Sequence, residues 1–179
     1  MEESSDVSGP EGVAEEASST GGGAPARQSR TLVTLRMRTE HDGLWAAMHR
    51  LEVALETALP GHVRAWKKRI AGDLRLIRNA LEQHIASVEA GDGLFTEVDR
   101  SRPSLAHRMA RICREHFELL AQTGQLIAYV EQASRLGDFE ETRRRAAALL
   151  HGLRHHEERE TDLLFENAYA EIGAATDGS

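Results

Sequence analysis

The chain has 179 residues and a net charge of −7, enough for one ordinary domain that buries roughly two-thirds of its unfolded surface without disulfides or a structural metal. Its acidity leaves no basic face with which to grip phosphates, so nucleic acid is not an expected partner. Its single cysteine, Cys113, excludes an intramolecular disulfide and any cysteine-built zinc or iron–sulfur site.

Residues 1–30 are rich in Glu, Ser, Gly and Ala and carry no hydrophobic period. Such a segment cannot bury enough apolar surface to offset its chain entropy, and a disordered tail is expected there. Glu2 and Glu3 stand where a signal peptide carries basic residues, and no run approaches the roughly 18 apolar residues that span a bilayer. No membrane partner and a cytoplasmic location are therefore expected.

From Thr31 to about residue 173 Leu, Ala, Arg and Glu dominate, few Gly or Pro interrupt, and nothing reads as a strand. A first helix is predicted over about 31–58, stopping ahead of Pro60 and Gly61. A second starts near His62 and fades at Ala90, Gly91, Asp92 and Gly93. The third opens at Ser101 to Pro103, where a hydroxyl cap precedes a proline in the first turn, and continues to about Arg135. Gly137 closes that helix, Asp138 caps the fourth, and Gly173 ends it, leaving 174–179 as a flexible terminus. Four long helices with short connections predict an all-α fold, an up-down-up-down antiparallel four-helix bundle.

Each helix carries an apolar stripe broken by a polar position, one in each of the first three helices and two in the fourth. The first reads Met37, then Leu44, Met48, Leu51 and Leu55, and the open position is His41. The second reads Val63, Trp66, Ile70, Leu74, Ile77, Leu81 and Val88, with the gap at His84. The third reads Leu105, Met109, Ile112, Leu119 and Leu126 or Ile127, with the gap at His116. The fourth reads Leu149, Leu153 and Leu163, interrupted by His156 and Glu160. Each helix thus sends one imidazole inward and the last also sends a carboxylate.

Any one of these histidines alone is an ordinary core residue satisfied by a carbonyl. Four in register, with a carboxylate, carry a desolvation cost of roughly a few kcal/mol per group, which a shared metal ion compensates. A hydrogen-bonded polar layer is the other way to satisfy them. His62, His107, His151 and His155 fall off the stripes and His49 lies at the edge of one, so these five are expected to have no metal role.

His156 and Glu160, four residues apart on a helix, can meet the same ion, and the two oxygens of a glutamate can bridge two. In the second helix the matching position is Val88, and the nearest acid, Glu89, comes five residues after His84. That spacing turns a side chain roughly 140° round an ideal helix, so Glu89 joins the site if the helix loosens toward Gly91 and Gly93. Imidazole and carboxylate without thiolate suit iron, manganese or zinc. Six ligands (His41, His84, Glu89, His116, His156 and Glu160) are too many for one tetrahedral zinc and suit two ions sharing carboxylates.

Glu40-His41-Asp42-Gly43-Leu44, Leu81-Glu82-Gln83-His84 leading to Glu89 and Leu94-Phe95, Glu115-His116 with Leu119, and Leu153-Arg154-His155-His156 leading to Glu160 and Leu164-Phe165 together resemble the hemerythrin-like family, the HHE cation-binding domain. The likeness spans roughly 31–172. It implies a bundle around a carboxylate-bridged pair of irons that binds oxygen and, in some members, acts on peroxide or senses nitric oxide, oxygen or iron. Oxygen carriers of this family place two histidines four apart on the third helix, whereas here Ile112 and Leu120 flank His116. Thr96 also stands where a proline often follows Leu-Phe. The missing histidine leaves iron less fully coordinated, which favours sensing or redox turnover over oxygen storage. The expected partner is then a small diatomic or peroxide ligand. A peroxide-decomposing di-iron enzyme and a metal-free helical interaction module are the alternatives. Cys113, beside Ile112 with no activating histidine at helical spacing, reads as a packed thiol.

Overall fold

The computed structural model describes residues 23–57, 62–132 and 138–176. Most of the expected tail and the turns at Pro60 and Gly137 lie outside these residues, as does the side chain of Met37. The described residues form four α-helices and no strand: α1 (Gly23–Glu56), α2 (Val63–Val88), α3 (Pro103–Gln132) and α4 (Asp138–Thr176), with one 3-10 turn, η1 (Leu94–Glu97), between α2 and α3. α1 is assigned from Gly23, ahead of the expected start. Each helix packs on the next, and α4 also packs on α1.

The apolar stripes account for the packing. Leu44, Leu51, Ile70, Leu74, Ile77 and Leu81 are almost fully buried, and with Leu119, Leu126, Leu149 and Leu153 they form one hydrophobic cluster. A second cluster joins Val88, Leu94, Phe95, Val98, Leu105, Ile112, Leu163 and Leu164. Between Leu119 and Leu126 the third stripe is completed by Thr123, which is buried because its hydroxyl donates to the Leu119 carbonyl at 2.7 Å. Trp66 satisfies its indole N–H on the Ala54 carbonyl at 2.8 Å and fastens α2 to α1.

The connection after α2 positions the second cluster. Glu89 takes the C-cap with its amide still bonded to the Ile85 carbonyl, and the chain then folds back over the helix end. Gly93 comes so close that a Cβ there would stand 2.3 Å from the Ser87 carbonyl oxygen and 2.4 Å from that of Val88. That approach lets η1 turn Leu94 and Phe95 into the core. Asp99, rather than Ser101, organises the entry to α3: its Oδ1 accepts from both the amide and the hydroxyl of Ser101, at 2.9 and 2.6 Å, so the serine hydroxyl is spent on the turn. Asn167 of α4 pins the same segment, donating to the Glu97 carbonyl and accepting from the Asp99 amide.

Candidate metal centre

The two hydrophobic clusters meet at a single polar layer. Leu81 belongs to one cluster and Val88 to the other, with His84 between them on α2; Leu119 and Ile112 bracket His116 on α3 in the same way. On α4 the bracket is Leu153 and Leu163 around His156 and Glu160, and on α1 His41 lies one turn before Leu44. His41, His84, His116, His156 and Glu160 are all at most 2% exposed. The five histidines expected to have no metal role, His49, His62, His107, His151 and His155, are all exposed.

Glu160 sits at the middle of the layer. Its Oε2 accepts from Nε2 of His41 at 3.2 Å and of His84 at 3.1 Å, and lies 3.8 Å from Nε2 of His156. Burial opposes ionisation of this carboxyl, but the two imidazole hydrogen bonds outweigh burial and hold it below the usual carboxylate range. The rings form two close pairs, His41 with His84 at 4.5 Å between centroids and His116 with His156 at 4.6 Å. Across the pairs His84 lies 5.5 Å from His116 and 6.4 Å from His156. Phe95 stacks on His116 at 6.0 Å and Trp45 on His41 at 5.8 Å.

The second pair is kept neutral. Burial pushes His116 below the ordinary imidazole range and, together with the neighbouring His116, pushes His156 down to about 4. Each then holds one ring N–H and one lone pair, and the outer contacts fix which is which. Nδ1 of His116 meets Glu89 at 2.7 Å and Nδ1 of His156 meets Glu115 at 3.3 Å, so both N–H groups point outward onto carboxylates. Both Nε2 lone pairs point inward.

Nδ1 of His84, Nε2 of His116, Nε2 of His156 and Oε1 of Glu160 are buried with no hydrogen-bond partner among the described residues. A self-contained polar core satisfies such atoms, whereas a cation-binding layer leaves lone pairs for the ion. His84, His116, His156 and Glu160 offer donor atoms that all lie within 4.8 Å of one another and could hold a metal ion. His41 adjoins this group through Glu160. Glu89 does not enter it: its side chain, 29% exposed, stands against the outer nitrogen of His116. Five residues after His84 is too far round the helix to share its direction, and α2 ends at Val88 without a bulge that would bring Glu89 back.

Two participants lie off the apolar stripes and have no periodic signal. Glu115 is clamped by Arg159, at 3.0 Å from Nε and 2.9 Å from Nη2, and by Arg111 at 3.2 Å. Burial opposes its ionisation, but the hydrogen bonds from Arg159 and His156 hold its carboxyl below the usual range. Glu157, next to His156, takes a hydrogen bond from Trp45, yet burial pushes its carboxyl up. Cys113 is half-buried against the second cluster, and burial and the nearby Glu89 push its thiol up to about 11, the state of a packed thiol rather than a nucleophile.

Among the described residues no helix is long and apolar enough to cross a membrane. No protein family, characterised protein or solved structure matches the chain.

Proposed function

We propose that this chain is a hemerythrin-like, up-down-up-down antiparallel bundle that carries non-haem iron, as two ions sharing Glu160, and binds or senses oxygen, peroxide or nitric oxide in the cytoplasm. The observation that carries the reading is the pairing of the rings. His41 with His84 and His116 with His156 make two imidazole pairs around one buried carboxylate, and Nδ1 of His84 and Nε2 of His116 and His156 are left without a hydrogen-bond partner among the described residues. The antiparallel course is supported by contacts that run in opposite numerical order along every neighbouring pair of helices. His41 meets His84 while Ala54 meets Trp66, and Glu89 meets His116 while Arg75 meets Glu131. Glu115 meets His156 while Arg108 meets Glu166, and His41 meets Glu160 while Glu52 meets Arg154.

Iron is favoured over zinc by the donor set: five inward N and O ligands without thiolate exceed what a closed tetrahedral zinc takes. Iron held by these residues would supply redox chemistry toward a small ligand. The chain presents the neutral imidazoles of His116 and His156, keeps Glu160 ionised, and walls the layer off from water with a hydrophobic cluster on each side. A third helix with Ile112 and Leu120 in place of a further histidine leaves fewer ligands than an oxygen carrier has, which favours sensing or turnover over storage.

Metal content and the visible spectrum of aerobically purified protein test this directly. About two irons per chain with near-ultraviolet charge-transfer bands is the expected result. One ion per chain would instead favour mononuclear binding by His84, His116, His156 and Glu160, which the 4.8 Å grouping allows. No iron after anaerobic reconstitution with ferrous salt would leave the layer as a polar core and the protein as an interaction module. Peroxide turnover by the iron-loaded protein, lost in His156→Ala, separates an enzyme from a sensor.

A further inference from the structure

We infer that Glu115 and Glu89 are positioning residues of this centre: each takes the outer Nδ1–H of an inward histidine and thereby fixes that ring's Nε2 lone pair on the metal position, Glu115 being itself held by Arg159 and Arg111. The inference rests on the metal-binding reading above and adds residues that touch no ion.

A buried imidazole can be turned over about its Cβ–Cγ bond, exchanging which face its nitrogens present, and it can carry its proton on either nitrogen. An ion accepts one of these arrangements only. An acceptor on the outer side selects it in advance, because an Nδ1–H bonded to a carboxylate forces the neutral ring to carry its lone pair on Nε2. Both rings of the second pair have such an acceptor, at 2.7 Å for His116 and 3.3 Å for His156, and both have a buried Nε2 without a partner.

Glu115 is built for this task rather than for ligation. Oε2 accepts from His156 and from two nitrogens of Arg159, and Oε1 accepts from Arg111, so its lone pairs are committed. The side chain is only 16% exposed, and the arginines neutralise a charge that would otherwise be costly beside the core. The pattern also explains why the two carboxylates fall off the apolar stripes. Glu115 precedes His116 on α3, so it points sideways to α4 while its neighbour points inward. Glu89 caps α2 and points sideways to α3. α2 and α3 thus each steady the histidine of the next helix, while His41 and His84 are steadied from α4 by Glu160.

The test uses the full chain loaded with Fe(II) or Co(II), with affinity read by chelator competition and ions per chain read at saturation. Glu115→Leu and Glu89→Leu are each expected to weaken affinity about 10–100-fold with stoichiometry unchanged. Glu115→Gln and Glu89→Gln, which keep an oxygen for the Nδ1–H, are expected to recover part of the loss, and Arg159→Met to show a smaller loss of the same sign. In the Co(II) protein the exchangeable ring N–H resonances of His116 and His156 are expected to exchange faster with solvent in the leucine variants and to stay slow in the glutamine variants, which keep an acceptor in nearly the same volume. Unchanged affinity in both leucine variants overturns the inference, and a lower ion count in Glu89→Leu overturns it for Glu89 by making that residue a ligand. If a leucine variant fails to fold, the glutamine variants and Arg159→Met decide. If the unaltered protein binds neither ion, the metal-binding reading itself has failed, which is a separate outcome.

Discussion

Glu160 stays ionised inside the bundle because His41 and His84 both donate to it, and removing either donor leaves a buried charge with only one of those two hydrogen bonds. His84→Leu is therefore expected to abolish metal binding and to destabilise the metal-free protein by roughly 1–3 kcal/mol, measured by urea unfolding in chelator; a variant that is neutral or more stable would fit a metal-free module. The second histidine pair sets a pH dependence. His156 titrates at about 4 in the folded protein against 6.5 unfolded, so between those values the unfolded chain binds the proton more readily. Its contribution is fully present above about pH 6.5 and is lost as pH falls through 4, a total on the order of 3 kcal/mol. Urea midpoints of the metal-free protein should accordingly fall from pH 7 to pH 4, and the fall should be smaller in His156→Phe. At this scale the inward histidines and Glu160 could be read from the chain, because each fills a gap in a hydrophobic period. Glu115 could not, because a residue off the stripe gains its role from a neighbouring helix.

Among the elements, the end of α2 decides most about the site. The stripe through Leu81, His84 and Val88 shows where the helix faces inward, and Gly91 and Gly93 show that it stops. That Gly93 presses on the carbonyls of Ser87 and Val88 depends on how the chain folds back. Gly93→Ala should require backbone movement and cost about 1–3 kcal/mol or more, seen as a lower thermal midpoint. Because this turn carries Phe95 against His116 and lies just after Glu89, the same substitution should weaken metal affinity without touching a ligand. A Gly93→Ala protein as stable and as tightly binding as the unaltered chain would mean that the turn is not under this constraint. The expected loosening of α2 that would have brought Glu89 inward does not occur: the Glu89 amide still bonds to Ile85, and the side chain goes to the outside of His116.

For the molecule as a whole, the polar layer divides one core into two, so the bundle carries a stability deficit that an ion can remove. Ferrous or cobaltous ion at about one hundred times its dissociation constant should add roughly 2.7 kcal/mol, raising the thermal midpoint by roughly 5–10 °C for a chain of this size, and chelator should reverse the shift. Replacing His41, His84, His116, His156 and Glu160 together with apolar residues of similar volume should raise the stability of the metal-free protein and abolish the metal-dependent shift. If that variant were less stable than the unaltered metal-free chain, the layer would be contributing to the fold in its own right.

The sequence by itself determined the four helices, their inward faces and the place of His41, His84, His116, His156 and Glu160 on those faces. These follow from a period of 3.6 residues and from the penalty for burying polar groups, both properties local to each helix. The tertiary structure alone decided how the imidazoles divide into two pairs, which nitrogen of His116 and His156 faces inward, and that Glu89 and Glu115 stand outside the ring they serve. Those outcomes depend on distances between residues 27 and 41 positions apart on different helices, and no period within one helix encodes them.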